Sequence, residues 1–213
     1  MRSSRCAARS GFPPVIPRPT RSARRARSGA RQAGSSDHVR VPRSFAFVDL
    51  SGFTRFTDLH GDDEAVAVLS QFRAAVRAIA SDVGVRVAKW LGDGAMFVGT
   101  DAFSLVEAIV SLQEHLSDEG LLPVRAGIAS GNVILFEGDD YTGNAVNLAA
   151  RLCDRAAPFE VLATVEIAES LPDDVDARPI GDVEILGFAA PVRVVRLTRT
   201  PRPDAAAEVL ASA

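Results

Sequence analysis

The apolar positions along the chain change period several times, and each change marks an element. "SFAFVDL" (44–50) is a continuous apolar run rich in β-formers and predicts a buried strand. "SGFT" follows as a turn, and Asp62, Asp63 and Glu64 suit a helix N-terminus. Over 64–80, Ala65, Val68, Leu69, Phe72, Val76 and Ile79 recur at spacings of three and four, the stripe of an amphipathic helix. "GVRVAKWL" alternates, "GDG" is a tight turn and "AMFVG" is apolar, so 85–99 reads as a β-hairpin. Residues 102–117 form a second helix. "VRAGIAS" and "NVILFE" read as two strands around Gly131, and 143–156 as a third helix. "EVLAT" is a strand, "VEIAESL" a short helix, and "ARPIGDVEIL" and "VRVVRL" a closing strand pair. This order predicts an α+β domain, a mainly antiparallel, ferredoxin-like sheet with helices on one face.

Charge divides the chain. Residues 1–43 carry eleven Arg and one acidic residue, a formal +10, while 44–213 carry 13 basic and 26 acidic residues, a formal −13. The first segment is rich in Arg, Ser, Pro and Gly and cannot bury enough apolar surface to offset its ordering entropy, so it reads as a disordered basic tail. A solvated extension, a transit-like leader and a binder of anionic polymers are all compatible with it. The domain is expected over 44–198, with a fraying tail over 199–213. Its acidity opposes nucleic-acid binding, except through the basic tail. No apolar run approaches the ~18 residues of a membrane span. Cys6 and Cys153 form no C-x-x-C pair, which points to a reducing cytoplasm, with Cys153 a buried filler.

Candidate chemistry gathers around a few polar residues. Asp49 ends the first strand and Asp93 sits in the hairpin turn. Two hard oxygen ligands at strand ends, with open coordination positions, suit Mg²⁺ or Mn²⁺ bound together with phosphates. Taken alone, an Asp in an Asp-Gly turn is only a turn residue. The turn after Asp49 offers backbone N–H groups as an anion cradle. Asn147 and Arg151, four apart, share one helix face. Lys89 is the only lysine in the chain; the other 23 of 24 basic residues are arginine.

"FAFVDLSGFTRFT", "KWLGDGAMFVG" with 44 residues from Asp to Asp, "RAGIASG", "YTGNAVNLAARL" and "GDVEILGFAAPVRVVRL" together resemble the catalytic domain of class III adenylyl and guanylyl cyclases, over about residues 44–198. The resemblance implies a head-to-tail dimer, of two identical chains or with another cyclase-like chain, with nucleotide sites at the interface. It implies that Asp49, Leu50 and Asp93 of one protomer hold two Mg²⁺ or Mn²⁺ ions. The backbone of Gly52, Phe53 and Thr54 would contact phosphate. Asn147 of the other protomer would orient the ribose and Arg151 would stabilise the transition state. Lys89 matches the position that reads the purine edge. Adenine N1 accepts and an ammonium only donates, which argues for ATP. Asn144 is expected as its partner at the adenine amino group.

One departure stands against high activity. Leu186 occupies a late-strand position where the family often carries a lysine that grips the triphosphate; Arg125 and Arg193 are the candidate substitutes. The resulting expectation is an adenylyl cyclase making cyclic AMP and pyrophosphate, with a weak or inactive nucleotide-binding regulatory module as the alternative. The related diguanylate cyclases carry a second acidic residue in the hairpin, which "LGDGAMF" lacks.

Overall fold

The computed structural model describes residues 39–136, 138 and 140–200. Most of the basic tail expected over 1–43 and of the C-terminal tail expected over 199–213 lies outside these residues. The elements are β1 (Arg40–Leu50), α1 (Phe53–His60), α2 (Asp62–Asp82), β2 (Arg86–Leu91), β3 (Gly94–Gly99), α3 (Ala102–Asp118), β4 (Val124–Phe136), β5 (Asp140–Thr142), α4 (Asn144–Arg155), β6 (Val161–Thr164), a 3₁₀ turn (Val165–Glu169), β7 (Val175–Val183) and β8 (Val192–Arg199). The sheet runs β2-β3-β1-β4-β6-β8-β7, with β5 paired to β4. Only the β4–β6 pairing is parallel among the described strands.

The fold class matches expectation, with one correction: helices cover both faces of the sheet. The even-numbered residues Ala46, Val48, Ala126 and Ile128 share a core with Phe72 and Val76 of α2 and Leu105 and Ile109 of α3. The odd-numbered Phe45, Ala129 and Val133 pack with Ala145 and Ala149 of α4 on the opposite face. A strand apolar on both sides needs two covers, which is why "SFAFV" is a run and not an alternation. Burying each large side chain of this kind contributes about 1.5–3 kcal/mol.

Three boundaries also differ. β1 begins at Arg40, paired with Ile134, four residues before the apolar run. "FTRFTDLH" is a helix in its own right, separated from α2 by Gly61. The two strands expected around Gly131 are one 13-residue strand. Gly131 is there for packing, not turning: a Cβ on it would lie 3.2 Å from the Cβ of Ala145. Gly127 is tighter still, since a Cβ would fall 2.2 Å from both the Ala149 carbonyl oxygen and the Cys153 nitrogen. α4 therefore lies backbone against backbone on β4.

Candidate active site

Asp49 is flanked in register by Gly94 of β3 and Arg125 of β4. Gly94 leaves the room its carboxylate needs, because a Cβ there would stand 3.3 Å from Asp49 Oδ1 and 2.6 Å from the Val48 carbonyl oxygen. Arg125 donates from Nε (3.0 Å) and Nη2 (2.6 Å) to Asp49 Oδ2, and from Nη1 to the Asp154 carbonyl oxygen (3.0 Å) at the end of α4. The hydrogen bonds to Asp49 raise the Arg125 pKa beyond its ordinary value, so the guanidinium is a fixed positive charge.

Asp93 follows Gly92 in the β2–β3 turn, and its carbonyl accepts from the Leu50 N–H at 3.3 Å. Burial, then the nearby Asp49 carboxylate, raises the Asp93 pKa above its ordinary value. The two acids are thus close enough to repel. A divalent cation relieves that repulsion, so this donor set fits Mg²⁺ or Mn²⁺ held jointly with phosphate oxygens. Among the described residues, no cluster of three or more His, Cys, Asp or Glu offers a complete protein-only cage. Beside Asp49, Gly52 is left-handed (φ 81°) and leads into α1, whose first turn, Phe53 and Thr54 included, has no side-chain cap. Its N–H groups therefore remain available to an anion.

Asp49, Gly94, Arg125, Ala150 and Cys153 line a cavity of about 260 Å³ between the sheet and α4. Asn144, Asn147 and Arg151 do not line it. They share a separate groove of about 440 Å³ with Leu186, Gly187 and Phe188. Ala150 lines both cavities. Arg151 stands exposed, 3.4 Å from Asp154. Leu186 is 82% exposed and presents no charge to the groove.

The Lys89 ammonium pairs with Asp140 of β5, and both side chains are about half exposed (48% and 51%). β5 is fixed by Tyr141, whose ring meets Phe45 edge-on at 5.3 Å and lies under Arg86 at 5.9 Å. The signal for Asp140 was a carboxylate just before a β-capable "YT", on a strand too short for periodicity to reveal. Arg125 was a candidate without a position; β4 gives it one opposite Asp49.

No protein-family model matches the chain. An uncharacterised Mycobacterium tuberculosis protein is 40% identical over 163 residues, which is 76% of this chain and 43% of that protein. The pH-sensitive adenylate cyclase of the same species is 29% identical over 178 residues, 81% of this chain and 44% of that one. The chain therefore spans less than half the length of the curated relatives it matches. Among solved structures, an adenylyl cyclase from P. aeruginosa superposes with a TM-score of 0.69 at 26% identity, covering 78% of this chain and 98% of that one. The chain resembles class III adenylyl/guanylyl cyclase catalytic domains in fold, and an adenylate cyclase in sequence. Guanylate cyclase domains share the cyclase fold as well, so the fold alone does not select the base. No helix of the described residues is long and apolar enough to cross a membrane.

Proposed function

We propose that the chain is an adenylyl cyclase that converts ATP to 3′,5′-cyclic AMP and pyrophosphate at a site shared by two protomers. The observation that carries the choice of ATP is the pairing of Lys89 with Asp140. A donor at the position that reads N1, beside an acceptor for the N6 amino group, complements the adenine edge. A base that leaves such groups unpaired is rejected strongly.

Asp49 and Asp93 are the residues that would hold Mg²⁺ or Mn²⁺. When bound, these ions make the ribose 3′-hydroxyl acidic and neutralise the triphosphate. The first-turn N–H groups of α1 receive phosphate oxygens. Arg125, anchored by Asp49 and by the Asp154 carbonyl, presents its guanidinium to the same phosphates and stands in for the lysine absent at Leu186. From the partner protomer, Asn147 orients the ribose and Arg151 meets the charge that develops on the α-phosphate. Donors of that kind are each worth about 3–4 kcal/mol when removed. The two-chamber arrangement, with Asn147 and Arg151 outside the Asp49 cavity of their own chain, supports sharing between chains.

The test is turnover of ATP and GTP side by side with Mn²⁺ and with Mg²⁺. Cyclic AMP that disappears in Asp49→Ala is expected; dimeric protein that makes no cyclic nucleotide overturns the reading. The exposed Leu186 favours a second reading, a cyclase-like module that binds nucleotide without turning it over. Nucleotide binding by calorimetry that is unchanged in Asp49→Ala, with no turnover in the wild type, would select it.

A further inference from the structure

Asp93 sits in a turn that leads from an edge strand, a place where backbone ordinarily frays. Here the turn is tied on two sides. The Asp93 carbonyl accepts from Leu50 of β1, and the preceding carbonyl, that of Gly92, accepts from Arg73 Nη2 of α2 at 3.1 Å. Arg73 and Arg77, one helical turn apart, each carry a guanidinium carbon 5.1 Å from the ring centroid of Trp90, three residues before Asp93. Trp90 also packs against the core that α2 and α3 share with the sheet. Arg73 Nε is buried without a hydrogen-bond partner among the described residues. A freely solvated arginine would not bear that cost; this one is committed to Gly92 and the indole.

We infer that Arg73 is a positioning residue for Asp93: through Gly92 and Trp90, α2 fixes the hairpin turn so that Asp93 stands at a set distance from Asp49. This rests on the metal-dependent reading above, because two carboxylates serve a small divalent ion only when held within a fraction of an ångström of its geometry. Arg77 supplements the grip on Trp90 without reaching the turn backbone.

Two readouts on the full chain test this without turnover: Mn²⁺ alone, titrated by electron paramagnetic resonance, and amide exchange across Leu91–Gly94. Arg73→Ala should bind Mn²⁺ roughly tenfold more weakly and exchange those amides roughly tenfold faster, with β4 unaffected. Arg73→Met, which keeps the aliphatic stem, should behave the same way if Ala disturbs packing. Arg73→Lys should recover part of both effects, and Arg178→Ala on the exposed edge strand should match the wild type. Unchanged exchange in both Arg73→Ala and Arg73→Met overturns the clamp. Faster exchange with unchanged Mn²⁺ binding overturns the positioning role alone. A wild-type chain whose Mn²⁺ binding does not depend on Asp49 and Asp93 overturns the metal reading and the positioning role together.

Discussion

Arg125 and Asp49 stand directly opposite one another on β4 and β1, and two guanidinium nitrogens converge on a single carboxylate oxygen, Oδ2. The pair leaves Oδ1 free while holding the arginine at the cavity wall. Arg125→Ala should lower kcat/KM for ATP by about 10²–10³, as for other charge-stabilising donors. It should also lower the melting temperature of metal-free protein by about 2–6 °C, because Asp49 then faces Asp93 uncompensated. Mn²⁺ should restore most of that loss in a thermal scan. Arg125→Lys should not recover activity, since an ammonium cannot bridge Asp49 and the Asp154 carbonyl at once.

Sharing of the site predicts complementation. Asp49→Ala and Arg151→Ala chains should each be inactive, and their mixture should regain activity from one intact site per heterodimer. Verified heterodimer without activity would reject the assignment of these residues to opposite chains.

Base selection separates Asp140 from Asn144. Lys89→Glu puts a second carboxylate beside Asp140 and should cut ATP turnover by about 10²-fold or more while leaving dimerisation intact. Asp140→Asn, whose amide can donate as well as accept, should narrow the ATP-to-GTP preference in kcat/KM. Asn144→Ala should leave that preference unchanged.

Gly127→Ala forces a methyl to 2.2 Å from α4 backbone atoms that no rotamer change can move. The expected cost is at least about 1–3 kcal/mol, the range for overpacking, read as a lowered denaturant midpoint. Because α4 carries Asn147 and Arg151, whatever folded protein remains should lose activity beyond the loss of stability.

Cys153 is buried, with its thiol pushed up to about 12, first by burial and then by the Asp49 carboxylate. The neutral thiol's contribution to stability is complete below the ordinary thiol pKa and is lost as pH rises toward 12. In a Cys6→Ser background, a thiol reagent at pH 8 should label nothing in the folded chain and one thiol per chain in denaturant. Labelling of the folded protein at the unfolded rate would contradict this burial.

Much of this was legible in the sequence because it rested on period. The hairpin at 86–99 and the helices at 62–82, 102–118 and 144–155 all announced themselves through spacing. So did the strand ends that carry Asp49 and Asp93. What escaped depended on contacts between distant segments. Gly131 looked like a turn because a glycine accommodating a helix backbone and a glycine turning a chain are written with the same letter. α1 was hidden because "FTRFTDLH" buries no residue completely and so shows no core stripe. Asp140 could be told from its neighbours only by what β2 brings beside it. Arg125 needed the register of β4 against β1 to acquire a meaning.

Ala150 borders both cavities, so the two cavities of one chain meet at a single methyl-bearing residue of α4. In a closed pair of chains, each protomer would lend one chamber to each nucleotide, with this thin partition standing between them. Two substrates bound in such a pair would then border the same turn of α4.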